Sequence, residues 1–440
     1  MQALAARADK ATTPARDKTG AGMWMSGTAL IVIASLLLEI HQFDVGIKLG
    51  NIVFAVICLL VLRTSLWRPE TRIVLTAADY WMILYLLWAT FSVLYSPTPV
   101  ETIFQVGLAT IVWTSLLVIR QQTLTNTLHV VFTVAAIIST VSVAAYLFDA
   151  DFAVQPFSST GTAELRGVFE HQLRLGMFTA VAVGLLVVAF INGDLPKLRA
   201  TLTRPVFSGF VAIIVATLYL SQARSPTAAL VLTLAACCAL AAPQRWLRYT
   251  AVFGIGAVVF LIHLYGQELS RAVFTTESDL TFSGRLKVWQ ETWSAADLQS
   301  WTGYGFASFS SSAFDWLWGH YRPTSAHNSL LQTYFETGYI GSLLMLGFVF
   351  ALLFRGLYIS FRTRRISYTL FMAVYGISCS LMSVIYGGKL SILMTLILLI
   401  SGQEQTGKAA RPSVSRGLRT SDAVRRPIVP VLFAEKATGT

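Results

Sequence analysis

The chain has 440 residues, of which 55% are hydrophobic and 12% charged, and its formal net charge is +11. A soluble globular domain carries roughly 25% charged residues. This composition excludes an ordinary water-soluble fold and points to a chain solvated mostly by lipid.

A spanning helix needs about 20 apolar residues, and windows of that size predict about twelve spans. They fall at 24–40, 44–62, 77–95, 100–119, 127–148, 173–191, 205–221, 225–242, 249–266, 334–354, 369–386 and 388–401. The expected fold is therefore an all-α polytopic membrane protein, with a large loop at 267–333 between spans nine and ten. The polar N-terminal stretch 1–22 precedes the first span and reads as a disordered tail. After that span comes Glu39-Ile40-His41-Gln42 rather than a small-residue cleavage site, so the first helix reads as uncleaved. Residues 23–401 form the membrane domain. The basic stretch 402–440, rich in Ala, Thr, Arg, Ser and Pro, reads as a second disordered tail. Cys58, Cys237, Cys238 and Cys379 all fall inside apolar spans, which suggests neither a disulfide framework nor a thiol metal site.

A basic chain can bind nucleic acid, but here the positions of the charges argue otherwise. Lys and Arg concentrate in alternate loops, at 63–72, 192–205, 242–249 and 355–365, and in both tails. The positive-inside rule places all of these in the cytoplasm. The loops between them, 149–172, 221–225 and 267–333 among them, are then expected outside.

The outer loops carry Arg166, His171, Arg224, Arg285, His320 and His327. Arginine suits bidentate contact with phosphate, and outside the membrane it lacks the positive-inside explanation. Solvation, snorkelling or pairing with nearby acids such as Glu277 and Asp279 would also account for individual members. The helix that opens at Ser329 carries a capping signature, Ser329-Leu-Leu-Gln332, with Asn328 as an alternative cap. His327 would then stand just before free backbone N–H groups that readily hold phosphate oxygens, where an imidazole can act as base or donor. Glu336, about two turns further on, could pair with an outer arginine, orient a polar ligand or be a polar interface residue. Asp149-Ala-Asp151 is the one Asp-x-Asp in an outer loop; it abuts a span end, and no metal site is expected.

Taken in order, SGRLKVWQETW, GYGFASF and AHNSLLQTYFETGYIG resemble the outer loop of the O-antigen ligase and O-antigen or exopolysaccharide polymerase superfamily. The matching residues are Gly284, Arg285, Trp289, Gly303, Gly305, Phe306, His327, Asn328, Glu336, Gly338 and Gly341. QARSPTAALVL resembles the family's upstream Ser-Arg turn, with Arg224 as the arginine and Ala223 where a Ser is common. RGVFEHQLRLG resembles a Gly-x-Phe segment found before a span in exopolysaccharide polymerases.

The resemblance implies a GT-C-like, multi-pass glycosyltransferase of the bacterial inner membrane, with both termini cytoplasmic and its site facing the periplasm. It implies no cofactor, no metal and a sugar donor linked to polyprenyl diphosphate, with membrane lipids and proteins of polysaccharide export or chain-length control as further partners and no nucleic acid. On this reading His327, Arg285 and Arg224 are catalytic, and Arg166, His171, Asn328 and Glu336 bind substrate. Polymerisation of lipid-linked repeat units is the expected activity, and ligation to lipid A core is the alternative. A transporter or flippase is the alternative from another class; its need for ionisable residues at mid-membrane is poorly met by this sequence.

Overall fold

The computed structural model describes residues 18–37, 47–66, 73–120, 122–155, 164–199, 202–257, 285–318, 323–385 and 391–404. The expectations for Gly284, His320, Glu277 and Asp279, for 1–17 and for 405–440 lie outside these residues. Secondary structure among the described residues is helical apart from isolated bridge residues, Val154 paired with Leu165 and a further one at Phe169. The principal helices are α1 (Lys18–Leu37), α2 (Ile47–Leu66), α3 (Ala77–Phe91), α4 (Pro99–Ile119), α5 (Leu124–Phe148), α6 (Gln172–Asn192), α7 (Arg204–Leu220) and α8 (Arg224–Ala241). They continue as α9 over 245–257, then α10 (Arg285–Leu298), α11 (Ser329–Thr363), α12 (Tyr368–Ser380) and α13 (Ile392–Gln403). The first helix opens at Lys18, inside the stretch expected to be a disordered tail.

Among the described residues, six helices are long and apolar enough to cross a membrane, those opening at Ala77, Pro99, Leu124, Gln172, Arg224 and Ser329. The apolar parts of α1, α2, α7, α12 and α13 are shorter. The expected span at 249–266 is seen as helix only to 257, and the rest of it lies outside the described residues.

Local chemistry sets many of the helix starts. Thr123, Ser367 and Ser391 cap α5, α12 and α13 by accepting backbone N–H groups of the first turn. Pro99 stands in the first turn of α4, where its missing N–H costs nothing. Packing then builds a bundle in which α11 lies on α3 and α12, α12 on α8 and α13, and α6 on α7 and α8. Outward positions of α11 such as Leu343, Phe350 and Phe354 stay exposed, as suits a face toward lipid.

Polar groups at the ends of the spans fasten the bundle. Asp79 accepts the Thr76 N–H at 2.7 Å and pairs with Arg120 at 2.6 Å, and both charged side chains are buried. Arg120 Nε also donates to the Leu398 carbonyl, while Arg355 donates to the carbonyls of Ser401 and Glu404. Two arginines thus satisfy carbonyls in the last turns of α13. The Glu404 carboxylate in turn accepts the N–H groups of Tyr368 and Thr369 at the start of α12.

Candidate active site

The quoted stretch around His327 opens a helix that is not continuous. Gly338 interrupts α11 with φ +66 and ψ −165, a conformation open essentially to glycine. The break frees backbone groups, and residues 300–305 of the outer segment take them up. Tyr339 N–H donates to Ser300 O and Ile340 N–H to Trp301 O, while Phe335 O and Glu336 O accept from the N–H groups of Tyr304 and Gly305. The two chains approach so closely that a Cβ at Gly303 would lie 2.6 Å from the Gly338 nitrogen. The Gly-x-Gly pattern read from the sequence is therefore a backbone splice into α11.

Glu336 belongs to this splice. It is 1% exposed, and its carboxylate accepts the Ala307 N–H at 2.9 Å and the Gln332 side-chain amide at 2.9 Å. Ala307 itself has φ +60. The Gln332 amide oxygen accepts the Ala326 N–H, and Trp289 Nε1 donates to Ala326 O. This chain of bonds holds the backbone just ahead of His327, whose own φ is +51. From the sequence Gln332 is expected only as a capping-box partner and Ala307 is not expected at all, and nothing in their residue types marks this role. The segment is fastened to the α3–α4 turn as well, through Trp88 to Thr337 O, Tyr95 to Thr302 O and Ser92 to the Phe306 N–H.

The helix cap differs from the expected capping box. Asn328 is the N-cap, and its side-chain oxygen accepts the Leu331 N–H at 3.0 Å. The Ser329 hydroxyl instead donates to Ser383 O and accepts the Ile385 N–H, which ties the start of α11 to the segment that follows α12. Gln332 is drawn away to Ala326 and Glu336, so the reciprocal bond of a capping box is replaced by these tertiary contacts.

His327, Arg285 and His171 come together. Burial lowers the His327 pKa to about 4, with the positive charge of Arg285 and then His171 adding to the effect. Its imidazole is neutral at pH 7 and able to accept a proton. His171 caps α6 by accepting the Leu173 N–H at Nδ1, 3.1 Å away, so its neutral form carries a proton on Nε2. Its pKa is lowered by burial first and then by Arg174, and the carboxylates of Glu164 and Glu170 oppose the shift.

Arg285 opens α10. Burial lowers its pKa, and its Nη1 donates to the Met382 sulfur at 3.5 Å. Among the described residues no carboxylate stands within ion-pair distance of it. A half-buried guanidinium whose recorded partner is a thioether has strong donors left for an anion.

The other expected residues flank this group. Arg224 opens α8, and its exposed guanidinium makes no hydrogen bond or ion pair among the described residues. Its turn is seated against α6, because a Cβ at Gly176 would lie 2.2 Å from that of Ala223. The same turn meets the segment of Arg166, since Leu220 O accepts the Leu165 N–H. Arg166 is 9% exposed and its Nε donates to Phe152 O at 3.0 Å, so part of its capacity holds the 149–153 turn. Asp149 caps that turn by accepting the Phe152 N–H.

A search among curated proteins found no match to the chain. A family model described as O-antigen ligase matches residues 209–346, which include Arg224, Arg285, His327, Asn328 and Glu336 but neither Arg166 nor His171. Residues 209–346 are thus similar to the O-antigen ligase family, in agreement with the ligase and polymerase superfamily that the motifs of this stretch resemble.

Proposed function

We propose that the protein polymerises oligosaccharide repeat units carried on polyprenyl diphosphate, at the periplasmic face of the inner membrane. The observation that carries this reading is Arg285, a half-buried cation with no acid partner among the described residues, set beside a neutral His327. The acceptor hydroxyl attacks the anomeric carbon of the donor sugar, and its proton goes to His327. A new glycosidic C–O bond forms, the C–O bond to the lipid diphosphate breaks, and the diphosphate leaves with the electron pair. Direct displacement inverts the anomeric configuration. Charge grows on the leaving diphosphate, and Arg285 and Arg224 would stabilise it. We assign that stabilisation to these arginines rather than to a metal ion, so activity should survive EDTA. The alternation of basic loops supports the periplasmic placement.

The segment Gly167-Val-Phe-Glu-His-Gln172 favours polymerisation, and the description of the matching family favours ligation to lipid A core. Lipid-linked products of a deletion strain separate the two. Single lipid-linked repeat units should accumulate if the protein is a polymerase. Long lipid-linked polymer beside bare lipid A core would make it a ligase. His327→Ala should lower turnover about 10²–10⁴-fold, and Arg285→Lys should be nearly as poor because an ammonium lacks the planar fork. Well-inserted variants that make normal amounts of polymer would overturn these roles.

A further inference from the structure

Beyond the reacting groups, α10 leads from the site to an exposed aromatic face. Trp293 follows Arg285 by eight residues, about 12 Å along the helix axis. Its ring lies 5.4 Å from that of Tyr334, Tyr334 lies 4.7 Å from Tyr339, and Tyr339 lies 5.9 Å from Trp301. Tyr334 is buried beneath the others, whereas Trp293, Trp301 and Tyr339 are 54%, 69% and 48% exposed. Asp297 stands among these rings, exposed on the surface, and one of its oxygens accepts the Tyr334 hydroxyl at 2.7 Å.

Large aromatic faces left in solvent mark a binding surface. The chemistry of this one is mixed. The rings offer flat apolar area, and the carboxylate keeps acceptor capacity for hydroxyl groups. A pyranose ring presents both complements, an apolar C–H face and a rim of hydroxyls. Lipid is the competing occupant, because Tyr339 heads the outward stripe of α11 that continues through Leu343 and Phe350. A carboxylate bonded to the ring beneath this face is costly against hydrocarbon and useful against a sugar, and the same helix carries Arg285 at its other end.

We infer that the Trp293–Asp297–Trp301–Tyr339 face is a saccharide-binding platform that holds the glycan beyond the sugar undergoing transfer. This inference rests on the proposed glycosyl transfer. The face sets affinity and chain handling, and the bond-making groups remain at His327 and Arg285. Trp293 and Trp301 would stack on successive sugar rings, and Asp297 would accept their hydroxyls.

The test uses the full-length protein in nanodiscs. The probe is the oligosaccharide released by mild acid from the lipid-linked intermediate that accumulates in the deletion strain. Saturable line broadening of the oligosaccharide in NMR is expected with the wild type and with His327→Ala, and its loss is expected in Trp293→Ala and Trp301→Ala. In turnover assays those two variants should raise KM for the lipid-linked donor about fivefold, in line with the loss of one aromatic contact, and leave kcat within about twofold. Trp293→Phe should recover most of the affinity. Binding and KM unchanged in both alanine variants would overturn the platform. So would variants whose only change is weaker tryptophan quenching by brominated lipid, which would make the face a lipid contact. A deletion strain that accumulates no lipid-linked saccharide would instead defeat the proposed reaction itself.

Discussion

At the scale of residues, His327 makes a prediction about pH. Burial and the Arg285 charge hold its pKa near 4, below the usual value of 6.5. The neutral imidazole is therefore kept well into the acid range, and kcat/KM should stay flat from pH 8 to about 5 and fall below that. The sign for stability is the same. The folded pKa is depressed, so the contribution is complete above about 6.5 and is lost as pH falls toward 4. Arg285→Gln removes a repelling charge and should raise the His327 pKa. With six histidines in the chain, an NMR titration of labelled protein, assigned by comparison with His327→Asn, would show the shift. Glu336 makes a different prediction. Its buried carboxylate holds Ala307 and Gln332, so Glu336→Ala should cost about 1–3 kcal/mol in stability. It should reduce the amount of folded protein more than it changes KM, as measured by thermal aggregation in detergent alongside turnover per folded molecule.

At the scale of elements, the interrupted helix α11 separates what sequence could and could not convey. Apolar runs marked the six helices long and apolar enough to cross a membrane, because lipid demands a continuous apolar surface. The run at 334–354 gave no sign that its first turns are stitched to another segment. That fact depends on Gly303, Gly305 and Gly338 meeting, and glycines far apart in sequence carry no mark of their partner. Of the two caps expected for this helix, Asn328 takes the role and the Ser329 capping box does not form, since tertiary bonds to Ser383 and Ile385 outcompete the local one. The splice makes Gly338 intolerant. A methyl group there would meet the Trp301 carbonyl oxygen at 2.4 Å in a backbone region already strained for an L-residue. Gly338→Ala should therefore sharply reduce inserted, detergent-stable protein, as read by size-exclusion profile after extraction.

At the scale of the whole molecule, the charge asymmetry of the loops and the order of motifs implied one site assembled from distant segments. The structure brings His171 on α6 to His327 and Arg285 although some 110 or more residues separate them in the chain, a proximity no spacing rule could have supplied. Arginines at the ends opposite this site were legible as topology signals alone. One of them, Arg355, also has a mechanical role, shared with Arg120: together they hold the short helix α13 against α3, α4 and α11. Asp79→Ala would leave Arg120 buried without its partner, and such losses cost about 3–5 kcal/mol. The variant should melt well below the wild type in a detergent thermal shift assay, and adding Arg120→Met should restore part of the loss.

The splice into α11 also bears on how the protein is made. Residues 300–305 leave the ribosome before residues 335–340 do, so the strand that completes the broken helix is already synthesised when the break emerges. Interior backbone amides of a nascent span would otherwise face hydrocarbon unpaired, at several kcal/mol each. The sequence order from glycine loop to broken helix thus lets each step of synthesis meet a prepared partner. Moving the 300–305 segment to a site after α11, by circular permutation, would remove that order while preserving every contact of the finished fold.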